Sequence, residues 1–235
     1  MFNFASFLAP GLTQSLHSFD AHAGAHVGAH AGAYSGTQTG LHAAAAQLQA
    51  RAAPAGVRQL GSQDLQWLPA LCDLLIDGVH RGASLGFLAP LSRYAALEYW
   101  HGVFARLGPH HKLWIACAAS AAGAGEQLLG AVQLSLAPSA NAHHRGEVQG
   151  LMVHSRARGR GVASLLMARL ECAAAVQART LLVLEAPSGS QAEAVYVHLG
   201  WQRAGEIPDY DASADGNLQG ASLYFKRLKA LTAPR

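Results

Sequence analysis

Between positions 147 and 163 the chain reads EVQGLMVHSRARGRGVA. An apolar, strand-like run gives way to a short turn. Then Arg158, Gly159, Arg160, Gly161, Val162 and Ala163 open a segment with helical spacing. The first N–H groups of a helix have no partner inside it and carry the positive end of its dipole. Glycines at such a start let an anion come close to the main chain. The segment therefore fits a pyrophosphate cradle built from backbone, and Arg156, Arg158 and Arg160 add charge beside it. Two other phosphate-binding patterns fail. The dinucleotide fingerprint needs a glycine where Ser164 stands, and the P-loop needs a Gly-Lys-Ser/Thr run that this loop lacks.

The surrounding pattern supplies the elements that must hold this loop. Apolar alternation and turn signals predict strands at 57–60, 113–118, 127–136, 147–154, 180–185, 201–206 and 221–226. Helical stripes predict helices at 63–79, with Ser62 as its cap, and at 92–107, 160–176 and 191–199. Gly123 and Gly125 mark the turn between the second and third strands, and Asp215-Gly216 a turn before the last. The order β-α-α-β-β-β-α-β-α-β-β mixes local hairpins with crossovers. It implies an α/β fold with a mixed central sheet and helices on both faces.

Of the 235 residues 51% are apolar, enough for one sizeable core, while only 13% are charged. No apolar run approaches the roughly 20 residues that span a bilayer. A net charge of +3 gives no dense basic patch, which argues against a nucleic-acid partner. Cys72, Cys117 and Cys172 are odd in number and far apart, so neither a disulfide framework nor a zinc site is expected, and the reading is a reducing, cytoplasmic compartment.

The first 50 residues carry one charged side chain, Asp20. Residues 1–54 are expected to be a low-complexity, disordered segment, with residues 55–230 as the folded domain. His22, His26 and His30 recur at helical spacing, but Gly24, Gly28 and Gly32 oppose a helix, so no metal site is expected. The start has no basic run ahead of its apolar stretch and is not read as a signal peptide.

The loop Arg-x-x-Gly-x-Gly/Ala after a strand ending in Leu-x-Val resembles the coenzyme A loop of the GCN5-related N-acetyltransferases. A second motif of that family ends in Tyr-x-x-x-Gly-aromatic, and Tyr196, Gly200 and Trp201 match it, with Ala192 before them. Gly189 stands where many members carry an asparagine. The stretches HRGEVQGLMVHSRARGRG and LEAPSGSQAEAVYVHLGWQRAGEIPDY are further similar to the tabtoxin-resistance subgroup, whose members acetylate a small toxin.

The resemblance implies acetyl-CoA as co-substrate, no metal, and direct attack by an amine within a ternary complex. It places the pyrophosphate on the backbone of 158–163 and the thioester carbonyl against the main chain of Leu151, Met152 and Val153. It makes Tyr196 the general acid toward the leaving thiolate. Glu147, Glu185 or both become the base, since Gln149, where relatives carry a glutamate, cannot act as one. His143, His144 and His154 flank the same strand as possible relays, and Asp209 and Tyr210 are expected in a loop lining the acceptor pocket. The acceptor is expected to be a small-molecule amine; a peptide amine, or a non-catalytic acyl-CoA-binding module, is the alternative. Dimers are frequent in the family it resembles, so a homodimer is one assembly the resemblance allows, while the sequence itself does not set the oligomeric state.

Overall fold

The computed structural model describes residues 56–120 and 125–229. The low-complexity segment, the three spaced histidines and Gly123 lie outside the described residues. Seven strands form one sheet in the order β1-β2-β3-β4-β5-β7-β6. They are β1 (Gly56–Leu60), β2 (His111–Ala119), β3 (Glu126–Leu136), β4 (Arg145–Val153), β5 (Leu181–Pro187), β6 (Gln202–Ala212) and β7 (Leu218–Arg227). The helices are α1 (Leu68–His80), α2 (Arg93–Arg106), α3 (Val162–Val176) and α4 (Gln191–His198). The expected order of strands and helices holds throughout.

Strands β1 to β4 run antiparallel to their neighbours, and α3 carries the chain across to β5, which lies parallel to β4. The middle strands are apolar on both sides because both faces are covered. Leu113 and Ile115 of β2 pack with Leu71, Leu75, Trp100 and Phe104 of α1 and α2. Trp114 and Ala116, one residue out of phase, pack with Leu166, Met167 and Leu170 of α3. Each buried leucine here contributes about 1.5–3 kcal/mol from removal of its surface from water. The Trp100 indole N–H donates to the Leu71 carbonyl at 2.9 Å and fixes α2 against α1.

Most boundaries shift by one to three residues, and three differences have a local reason. Helix α1 begins at Leu68, after a 3₁₀ turn over Leu65–Trp67, rather than at residue 63. Pro69 explains this, because a proline lacks the N–H that any later helical position would donate. Ser62 is not the cap; the Asp64 carboxylate instead accepts from the Gly61 N–H at 2.7 Å. Helix α3 starts at Val162, because Gly159 (φ 70°) and Gly161 (φ 76°) hold the preceding residues out of the helix. Strand β6 runs to Ala212, so Asp209 and Tyr210 lie within it rather than in a free loop. The register between β6 and β7 jumps between Ile207 and Asp211, and Asp209 turns the excursion with φ 51°.

Candidate active site

Two irregularities in β4 make the site. The first is a bulge. Ala131 pairs with Met152 and Gln133 with Gln149, so β4 spends one extra residue between these rungs. Gly150, with φ 54°, turns the chain there. The second is a splay: β4 pairs with β5 only from Arg145 to Glu147, opposite Leu181 to Val183. Beyond those three rungs the strands part, and a gap opens through the sheet beside the bulge.

The C-terminal end of β4 leads into the cradle. The first main-chain bond of α3 is donated by Leu165 to the Gly161 carbonyl at 3.0 Å. The N–H groups of Val162, Ala163 and Ser164 precede that bond and have no acceptor in their own helix. A Cβ at Gly159 or Gly161 would meet nothing within 4 Å, so the loop is open, and glycine is needed there for its φ rather than for space. The residues present fit a pyrophosphate. Arg156 folds back, donating to the Leu128 carbonyl at 3.3 Å, and Arg158 donates to the Val153 carbonyl at 3.4 Å.

The turn is tied to α1 by Asp77, which the sequence reading passed over. Its carboxylate accepts from the Ser155 N–H at 2.7 Å and the Ser155 hydroxyl at 2.8 Å, and lies 3.3 Å from His154 Nδ1. Partial burial pushes the Asp77 carboxyl up. The Ser155 hydrogen bonds and the charges of His154 and Arg158 outweigh that and leave it below the ordinary carboxylate range. His154 thus serves the turn, and burial together with the Arg156 charge depresses its pKa. His143 and His144 lie in the turn before β4, where the His144 carbonyl accepts from the Thr180 N–H at 2.9 Å.

Glu147 and Glu185 come together. Glu147 faces the α1/α2 side with Gln149, which donates to it at 2.9 Å. Glu147 pairs with Val183, and Glu185, two residues on, shares that face at the mouth of the gap. Surrounding protein pushes the Glu185 carboxyl above its ordinary value; a hydrogen bond from Tyr210 opposes this, and the charges of Asp211 and Glu147 add to it. The β6 bulge is what delivers Tyr210 to Glu185. Nothing in the local pattern signals that contact beyond the odd placement of Pro208 and Asp209 in a strand-like run.

Tyr196 lies on the other face. It is buried with Trp201 and Tyr224, at ring-centroid distances of 6.1 and 6.0 Å, on the side covered by α3. Burial pushes its pKa up to about 12. Leu151 and Val153 also turn toward that side, while Met152 is buried against the α1/α2 side. The phenol and the two carboxylates therefore approach from opposite faces of the sheet, with the β4–β5 gap as the passage between those faces. Gly189, at φ 76°, gives its N–H to Glu193 at 2.6 Å, so that turn closes without the asparagine common in relatives.

The sequence pattern described as "Acetyltransferase (GNAT) family" matches residues 68–201, more than half of the chain. The chain belongs to this family. It is an acetyl-CoA-dependent N-acetyltransferase. Solved structures similar to this GNAT chain share its fold at low identity. A ribosomal-protein-alanine N-acetyltransferase from Brucella melitensis is 19% identical, with TM-score 0.56, covering 74% of this chain and 99% of its own. A protein assigned as an acetyltransferase of Salmonella typhimurium, solved with its cofactor acetyl-CoA, is 16% identical, with TM-score 0.58, covering 77% and 98%. A protein assigned as a phosphinothricin N-acetyltransferase is 14% identical, with TM-score 0.58, covering 74% and 99%. Among the described residues of this GNAT domain no helix is long and apolar enough to cross a membrane, and no cluster of metal-ligating side chains occurs.

Proposed function

We propose that this enzyme moves the acetyl group of acetyl-CoA to the amine of a small cationic acceptor. The observation that carries the reading is the split between β4 and β5, with two carboxylates on one face and a phenol on the other. The main chain of Gly159, Arg160, Gly161, Val162 and Ala163, with Arg158, holds the pyrophosphate. The N–H groups of the Leu151, Met152 and Val153 segment polarise the thioester carbonyl. Glu185, crowded by Glu147, takes the proton of an ammonium whose ordinary pKa is about 10. The freed nitrogen bonds to the carbonyl carbon as the C–S bond breaks.

Tyr196 then faces the departing sulfur. An ordinary thiol has a pKa of about 8.5, so full transfer from a phenol near 12 runs uphill. Tyr196 acts mainly by donating a hydrogen bond to the thiolate, which takes its proton from solvent.

A small acceptor is favoured over a peptide by the cover on the α1/α2 side. The Ala89 N–H in the α1–α2 loop donates at 2.7 Å to the Ala214 carbonyl at the tip of the β6–β7 hairpin, and Ala214 is buried. Loop and hairpin are thereby tied together on the α1/α2 side of the sheet, the side that Glu147 and Glu185 face. The three free cysteines suit a reducing, cytoplasmic setting.

The test follows thiol release from acetyl-CoA with panels of small amines, amino acids and short peptides. Release with one small-amine class, lowered roughly 10–100-fold in Tyr196→Phe, the size of a hydrogen bond to a charged group, is the expected result. Release with peptides alone, or tight acetyl-CoA binding with no release, would overturn the acceptor assignment.

A further inference from the structure

A chain of three polar side chains crosses the α1/α2 side of the sheet and ends at the β4 bulge. His111 of β2 is buried, and its Nε2 lies 3.0 Å from Gln133 Oε1. The Gln133 Nε2 lies 2.8 Å from the Tyr99 hydroxyl. Gln133, only 1% exposed, sits opposite Gln149 in the register. A Cβ at Gly150 would fall 2.8 Å from Gln133 Nε2 and 3.7 Å from the Tyr99 hydroxyl oxygen. The bulge glycine therefore also makes room for this chain to reach β4. Phe87, from the α1–α2 loop, packs edge-on against Tyr99 at 5.4 Å, and Trp100 does so at 5.1 Å.

The direction of the hydrogen bonds follows from their chemistry. A carboxamide oxygen only accepts, so His111 Nε2 carries a hydrogen. A carboxamide nitrogen only donates, so the Tyr99 oxygen accepts from Gln133 and its own hydrogen must point elsewhere. Burial lowers the His111 pKa, which favours the neutral ring. Burial also raises the Tyr99 pKa, so the phenol keeps its hydrogen.

We propose that Tyr99 is a further catalytic residue, donating its O–H to an oxygen of the reacting complex above the β4 bulge, and that Gln133 and His111 are positioning residues that fix this polarity. The oxygen is either the acetyl carbonyl or an oxygen carried by the acceptor. The proposal rests on the reading of the β4–β5 gap as the acyl-transfer site.

The test joins kinetics to NMR on the full chain. The variants are Tyr99→Phe, Gln133→Met, His111→Leu and His111→Gln, the last keeping an N–H donor where Nε2 was. Tyr99→Phe should lower kcat/KM about tenfold, the size of one neutral hydrogen bond, with acetyl-CoA affinity unchanged. His111→Leu should lower it about threefold, and His111→Gln should restore it. A fall in kcat with every acceptor assigns the acetyl carbonyl. A rise in KM confined to acceptors bearing an oxygen near the amine assigns the acceptor. Tyr99→Phe within twofold of wild type in both constants, for both acceptor types, would overturn the proposal.

The NMR arm does not depend on turnover. The ¹⁵N spectrum of His111 should show a protonated Nε2; a protonated Nδ1 with a bare Nε2 reverses the chain and overturns the proposal. The ¹³Cζ resonance of Tyr99 should move on addition of acetyl-CoA or amine, and fail to move in Gln133→Met. If wild type turns over no acceptor, the acyl-transfer reading fails. A ligand-dependent Tyr99 shift would still uphold the donor, and its absence would sink it.

Discussion

The two halves of the proposed site are built differently. The acyl-donor half, from β4 into α3, is made of main chain contributed by one continuous stretch. The acceptor half is made of side chains from α2, β3, β4, β5 and β6, brought together across the whole domain. A backbone cradle needs only the right φ at two glycines and a helix to follow. A side-chain cleft needs every contributing strand in register. The donor half is thus robust and common to many acceptors, while the acceptor half can be retuned one residue at a time.

Substitutions can separate the halves, and the largest effect is expected on the acceptor side. Replacing both carboxylates, Glu147→Gln with Glu185→Gln, should lower kcat by about 10²–10⁴, the range for loss of a general base. Calorimetry should find acetyl-CoA binding unchanged; a matching loss of binding would mean the halves are not separable. On the donor side, Gly161→Val places a β-branched residue at φ 76° with open space around it. The cost is then conformational, roughly 1–2 kcal/mol. It should appear as about a tenfold weaker acetyl-CoA affinity, with the acceptor KM unmoved in steady-state kinetics.

The smallest expected effects are shifts of the pH–rate profile, and they differ in sign. As the proposed base, Glu185 must be ionised, so activity is expected to fall as pH drops through its raised pKa. Glu147→Gln removes a charge that raises that pKa, so the acidic limb should move to lower pH. Tyr210→Phe removes the hydrogen bond that lowers it, so the limb should move to higher pH. Equal shifts in one direction would show that the limb belongs to another group.

The same contrast governs what could be read from the sequence. The strand, turn and helix proposed as the cradle were legible because they are adjacent in the chain and each follows from local rules. The order of elements was legible for the same reason. The start of α1 was misplaced because the apolar stripe outweighed Pro69. Glu147 and Glu185 came from the family resemblance, and the splay explains why two strand residues meet at one gap. Tyr210 was assigned to a loop because the register jump in β6 has no signature of its own. Asp77 reaches Ser155 from 78 positions away, a contact that no spacing rule encodes.

The short pairing of β4 with β5 has a mechanical side. Clamped at Arg145–Glu147 and parted beyond, the two strands act as prongs joined at one end. Moving the prongs costs no ladder hydrogen bonds, because none join them past the clamp. Past the clamp each prong is held by its outer neighbour, β4 by β3 and β5 by β7. The spacing between the prongs can therefore change without breaking a single β4–β5 ladder bond, and the rest of the sheet need not shift its register.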